Sequence, residues 1–205
     1  MTGPLLLLLF GLWFGAVVFL RYYHVWLFYY VLGAVGAAYF AILLFGDVFG
    51  LEPLLAHSVA WSVHVISNLI SIPTRIFEGA PGVLLVLVII QEIGWTVLQV
   101  GIESSGLLEI GVLSSLLLFY PGWTPVRRAR MILLGGGAIW LANILRMLVI
   151  VIMLNQLGKE ALVLAHMYVG KIVFFILVIV IFWFLVTKPT LKDLHQSLTQ
   201  VRPAV

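Results

Sequence analysis

Cysteine is absent from the 205 residues. That excludes disulfides, a thiolate metal site and a cysteine nucleophile in this chain. Charge is nearly as scarce. Asp, Glu, Lys and Arg supply 9% of the residues, whereas a soluble domain carries roughly a quarter. The formal net charge is only +3, and Lys and Arg are scattered or stand at segment ends. No long basic face exists for a nucleic acid to follow, so nucleic acid is excluded as a partner. No internal repeat or low-complexity tract interrupts the chain. The N-terminal run Leu5 to Leu9 lacks a preceding basic stretch and a clear cleavage site, and it continues to Leu20. It reads as a retained first span rather than a signal peptide.

What remains is oil. Hydrophobic residues make up 63% of the sequence. The expected fold is all-α: a polytopic transmembrane helix bundle of about five full spans, with an interfacial helix and a partly inserted segment. One domain of residues 1–205 is expected. Residues 1–52 hold the first two spans, Pro4 to Leu20 and Val25 to Phe45, separated by the basic and aromatic Arg21-Tyr22-Tyr23-His24. Residues 53–100 form an interfacial and re-entrant region. In Pro53 to Ile72, His57, Ser58, Ser62, His64, Ser67 and Asn68 interrupt apolar residues that return every three to four positions. That pattern suits a helix lying on the membrane or lining its interior. Val83 to Ile90 and Trp95 to Val100 are each too short to span, and Glu92 lies between them. An irregular or hairpin-like segment buried against protein is expected there. Residues 101–187 hold three further spans: Leu107 to Tyr120, Met131 to Leu154 and Leu162 to Val186. Residues 188–205 form a cytoplasmic tail.

The cluster Arg127, Arg128 and Arg130 should be cytoplasmic by the positive-inside rule, and Lys188 and Lys192, two spans later, agree. Residues 53–100 then make no net crossing. Gly101-Ile102-Glu103-Ser104-Ser105-Gly106, a polar island in the oily sequence, falls at the outer mouth of the third span. Arg146 lies about 12 Å below the outer end of its helix, and His166 roughly one turn inside the same surface. Ionisable groups at such depth are functional candidates by default.

These residue types suit acyl transfer. A hydroxyl attacks an acyl carbon when one group takes its proton and others stabilise the oxyanion. His166 suits the base, because its side chain titrates near neutrality. Arg146 offers a permanently charged fork for an oxyanion or a substrate carboxylate. The backbone N–H groups of Ser105 and Gly106 stand at a helix N-terminus, which favours negative charge. Ser104 or Ser105 is then the nucleophile. Each residue also has a structural reading. The two serines suit helix caps. Arg146 suits an ion pair with Glu103, Glu109 or Glu92, and Lys171 a pair with Glu109. Asn143 suits a hydrogen bond across helices that orients Arg146. His57 and His64 share a helix face without a carboxylate at zinc-like spacing, so a polar lining is expected, with no metal and no cofactor. Gly135-Gly136-Gly137 follows no strand and suits close helix packing rather than a phosphate loop.

Glu103-Ser104-Ser105-Gly106 resembles the Cys-(Ser/Thr)-Gly motif of the exosortase/archaeosortase family, with Ser104 at the cysteine position. Asn143-Ile144-Leu145-Arg146 resembles that family's Asn-x-x-Arg helix. His166 with Gly170 and Phe174 resembles its His-x-x-x-Gly segment. Order and separation fit across roughly Val83 to Val186. The resemblance implies a multi-pass cell-membrane transpeptidase or protease (a hydrolase) with its active site facing outside. Its partners would be the lipid bilayer and surface proteins that end in a C-terminal motif, a transmembrane helix and a basic tail. It would cleave that sorting signal and transfer the protein to an acceptor. It further implies Ser104 at the nucleophile position, Arg146 as stabiliser and His166 as base, with Glu103, Ser105, Gly106, Asn143 and Gly170 binding substrate or supporting the site. Serine in place of the thiol fits an inactivating substitution, a natural serine variant or a non-catalytic relative, the first being the expectation. A serine needs far more help from a base, so this chain is expected to be inactive or slow. The rival expectations are a small transporter with Arg146, Glu109 and Lys171 along its pathway, and a non-enzymatic scaffold that binds a partner helix.

Overall fold

The structure, a computed structural model, describes residues 3–77, 85–91, 94–100, 104–120 and 122–192. Its fold is an all-α helical bundle carrying one small antiparallel sheet. The helices are α1 (Gly3–Tyr22), α2 (Trp26–Leu43), α3 (Leu51–Leu69), α4 (Leu107–Phe119), α5 (Pro125–Leu157) and α6 (Gly170–Phe182). Wide π-helical turns extend α2 over Leu44–Val48 and α6 over Leu164–Val169 and Trp183–Thr187. Four helical stretches are long and apolar enough to cross a membrane: Pro4–Tyr22, Trp26–Gly46, Pro125–Leu157 and Lys159–Lys192. The fifth expected span, α4, has 13 residues, about 20 Å of helix at 1.5 Å per residue. That falls short of the ~30 Å hydrocarbon core.

The long helix begins earlier than its apolar run suggests. Pro125 opens α5, and the Thr124 side chain accepts a hydrogen bond from the Arg127 backbone N–H. Proline suits this first position because the N–H it lacks would have no helical partner. The basic cluster therefore rides on the first turns of α5 instead of a loop. Within α5, Gly135 lets two neighbours come close. A Cβ there would meet side-chain carbons of Leu113 on α4 and, at 3.1 Å, of Leu185 beyond α6. The expected packing role of this glycine run thus rests on its first member, since a Cβ at Gly137 would meet nothing within 4 Å.

Residues 53–100 contain the main difference from expectation. The amphipathic helix is present as α3, with Ala56, Val59, Ala60, Val63 and Ser67 buried along one stripe. After it come β1 (Thr74–Phe77), β2 (Leu85–Gln91) and β3 (Gly94–Val100), in the order β1-β2-β3. Gln91 pairs with Gly94 and Leu85 with Val100, so the hairpin-like stretch is a β-hairpin. Pairing satisfies the backbone groups that a short apolar run cannot satisfy alone. The β-branched content of Val83 to Ile90 is the sequence signal for strand. Polar side chains fasten β1 to α3. His64 Nδ1 lies 2.8 Å from Thr74 Oγ1, Asn68 contacts the His64 ring, and the Thr74 N–H donates to Asn68 Oδ1 at 3.4 Å. His64 is thereby engaged in structure, as the polar-lining reading expected.

Two apolar cores lie along α5. One joins Val59 and Val63 of α3, Ile89 and Leu98 of the sheet, and Met147, Ile150, Val151 and Leu154 of α5. The other joins Leu113 and Leu117 of α4, Ile139 and Ala142 of α5, and Phe174 of α6. Asn143 and Arg146 occupy the seam between them.

Candidate active site

The segment entering α4 is short and fully enclosed. Ser104 is 3% exposed and Ser105 0%. Gly106 has φ +77°, the left-handed region where an L side chain is strained, and it turns the chain into the helix. Ser105 Oγ accepts a hydrogen bond from the Leu107 N–H at 3.2 Å. This local side-chain-to-backbone bond ties Ser105 to the first residue of α4, while the N-cap itself is Gly106 and has no side-chain cap, so the serines do not cap the helix as expected. Glu103, with Gly101 and Ile102, lies outside the described residues, as does Glu92.

Ser104 is held from both ends by α5. The Asn143 side-chain Nδ2 donates to the Ser104 carbonyl. Arg146 Nη2 donates to Ser104 Oγ at 3.0 Å. Asn143 and Arg146 are spaced i, i+3, so they share a helix face. Both are buried, at 0% and 6% exposure. A carbonyl oxygen only accepts, so the amide of Asn143 must turn its Nδ2 toward Ser104. Its Oδ1 then points elsewhere, and this atom is buried with no hydrogen-bond partner among the described residues. A Cβ at Gly106 would lie 3.5 Å from Asn143 Nδ2, an ordinary contact, so the positive φ and not lack of space calls for glycine here.

The Arg146 contact has a definite chemical sense. An arginine that donates to Oγ stabilises negative charge on that oxygen and cannot remove its proton. The same contact on a thiol would favour the thiolate. A hydrogen bond involving a charged group contributes about 1.5–3 kcal/mol. The guanidinium carbon also lies 5.2 Å from the centroid of the Phe174 ring, a cation–π contact. Burial makes both contacts count, because a lone cation among apolar side chains is destabilising.

His166 is on the π-helical turn before α6, half-buried, with its Nδ1 buried. Four residues on, Gly170 allows this helix to touch α5. A Cβ at Gly170 would meet Ile150 Cδ1 at 2.7 Å and the Ala165 carbonyl at 3.0 Å. The fold thus brings Ser104, Asn143 and Arg146 into direct contact, and His166 stands on the turn that leads into α6. Lys171 is exposed and lines a cavity of about 670 Å³ with Glu109, Arg146, Leu108, Phe174 and Phe175. The cavity opens between α4 and α6 with Arg146 in its wall. An adjoining groove continues along Val178, Ile179, Phe182, Trp183 and Thr187, with no ionisable lining residue among the described residues.

Some participants had no clear signal in the sequence. Trp140 Nε1 donates to Ser58 Oγ at 3.0 Å, tying α3 to α5. Leu108 and Phe175 look like ordinary span residues and become cavity wall. Phe174 stood out only through its spacing after His166.

The fold and the site define a class: a bundle with four helices long and apolar enough to cross a membrane, closed around a buried Ser-Asn-Arg constellation. Comparison with known proteins finds no matching family model, no matching curated protein and no matching solved structure.

Proposed function

We propose that this chain is an exosortase-like membrane transpeptidase or protease with serine at the position of the nucleophile. The observation that carries the reading is the 3.0 Å hydrogen bond from Arg146 to Ser104 Oγ, buried and made between residues far apart in sequence. The site would lie at the outer face of a cell membrane, at the end of the bundle away from the Arg127–Arg130 cluster. The substrate is a surface protein ending in a recognition motif, a transmembrane helix and a basic tail. Its helix docks laterally against the bundle, beside the cavity between α4 and α6.

In the proposed step, Ser104 Oγ attacks the scissile carbonyl and its proton passes to His166. Arg146 and the first N–H groups of the α4 entry hold the oxyanion. The C–N bond breaks, and His166 returns the proton to the leaving amine. The acyl group rests on Ser104 until water or an acceptor nucleophile takes it. Arg146 lowers the energy of an anionic Oγ, yet an alkoxide forms far less readily than a thiolate. The chain is therefore expected to be slow or inactive, and Ser104→Cys is the gain-of-function variant. Expressed with a cognate sorting-signal protein, Ser104→Cys should cleave it, whereas Ser104→Ala should not. Equal inertness of the two variants toward that substrate would defeat the proposal.

A further inference from the structure

At the opposite end of the bundle lies a groove of about 490 Å³, with Arg128, Lys188 and Lys192 next to its lining residues in the fold or the sequence. Trp26, Leu27 and Tyr30 of α2 form one wall, Tyr120 after α4 another, and Thr187 and Leu191 beyond α6 the third. Arg128 is anchored beside it: Nη2 donates to the Tyr120 carbonyl at 2.9 Å, while its buried Nε has no hydrogen-bond partner among the described residues. Arg127 stacks 4.2 Å from the Trp123 ring centroid, and that ring lies 4.7 Å from Tyr120's. Lys188 and Lys192 are exposed, each following a groove-lining residue and spaced i, i+4 on one helix, and the Lys188 Nζ lies 5.4 Å from the Phe184 ring centroid outside the groove. The described acidic positions, Asp47, Glu52, Glu109 and Glu160, all belong to the other end of their helices or to the connections there. The described carboxylates thus stand away from Arg128, Lys188 and Lys192. The N-terminal end of α5, itself the positive pole of a helix, adds to their charge.

We propose that this groove binds one anionic glycerophospholipid from the adjoining leaflet. Its phosphate is held by Arg128 with Lys188 and Lys192, and an acyl chain lies along Trp26, Leu27 and Leu191. The chemistry selects this occupant. The walls are aromatic and aliphatic, as an acyl chain requires, and the Tyr30 and Tyr120 rings stand at the polar boundary where such residues anchor. The cations call for a net negative head, which a zwitterionic lipid does not supply. The site is remote from Ser104, so it stands or falls separately from acyl transfer.

The test is native mass spectrometry of the full chain, released from detergent micelles containing phosphatidylglycerol or phosphatidylcholine of matched chains. One phosphatidylglycerol should be retained in preference to phosphatidylcholine by roughly tenfold or more. Lys188→Gln with Lys192→Gln should remove most of that preference. Leu191→Trp, at an exposed position and so compatible with folding, should obstruct the groove and lower retention of both lipids. Lys159→Gln at the far end should change neither, and millimolar inorganic phosphate should not displace the lipid. Equal retention of the two lipids, retention unaltered by Leu191→Trp, or displacement by phosphate alone would each overturn the proposal.

Discussion

Arg146 and Arg130 lie on one helix in opposite surroundings. Arg146 is 6% exposed, donates to Ser104 and lies over Phe174. Arg130 is exposed near the start of the helix, beside Arg127 and Arg128. The contrast extends to the two ends of the bundle. Around Ser104 the polar groups turn inward and are satisfied mainly by one another. Around Tyr120, Arg130, Lys188 and Lys192 are exposed, where a long side chain keeps its charge in water, while Arg128 is half-buried on the Tyr120 carbonyl. A buried cation persists only where partners offset its desolvation, and the partners must be placed by the fold. A rim cation needs only to be near the interface. Burial with partners thus separates Arg146 from Arg130, although the two arginines share one helix.

The largest expected effect breaks this contrast directly. Arg146→Ala should remove the donor to Ser104 Oγ and leave a void beneath Phe174, destabilising the protein by about 2–4 kcal/mol. Arg130→Ala should stay within about 0.5 kcal/mol. Thermal melting of both variants in one detergent checks this, and equal shifts would show that the two arginines are not distinguished by burial. Next come the glycines. Gly170→Val should cost about 1–3 kcal/mol by forcing Ile150 and the Ala165 carbonyl aside. Gly137→Ala, in open space on α5, should be neutral or stabilising by up to about 1 kcal/mol. A melting comparison of the two reads out whether the α5–α6 contact is as tight as described. A smaller effect is expected at the α4 entry. Gly106→Ala, with φ +77°, should cost about 1–2 kcal/mol. In a Ser104→Cys background it should also slow processing, because the turn aims residue 104 at Arg146. Processing left unchanged by Gly106→Ala would separate the turn from the site.

Much of this plan was legible in the sequence because lipid leaves few options. Long apolar runs must be helices, and the described helices follow them. Depth counting from the helix ends puts Glu103, Ser104, Arg146 and His166 in one leaflet; of these, Ser104 and Arg146 have side chains in contact, and Glu103 lies outside the described residues. The start of α5 was misplaced because Arg127, Arg128 and Arg130 interrupt the apolar run. Hydropathy marks the oily stretch, whereas Thr124 and Pro125 mark the helix. The strands were not assigned because a short continuous apolar run fits a buried helix as well as a strand, and only pairing such as Gln91 with Gly94 decides. The bond between Trp140 and Ser58 depends on how α3 crosses α5, which no local pattern encodes. The two serines illustrate a different limit. By residue type alone either Ser104 or Ser105 suits the nucleophile, and the fold separates them: Ser105 bonds to the backbone N–H of Leu107, Ser104 to Arg146.

The central claim is that residue 104 is the acyl acceptor of a site built with Arg146. The most direct measurement is the intact mass of the Ser104→Cys protein after incubation with a cognate sorting-signal protein in proteoliposomes. Because the chain has no other cysteine, a thioester can form at one position only. The account predicts an adduct of the substrate's N-terminal fragment, mapped to residue 104, released by hydroxylamine and absent when Arg146 is also changed to Ala in protein that still folds. Cleavage of the substrate without any adduct at residue 104, or an adduct that forms equally well without Arg146, would contradict it.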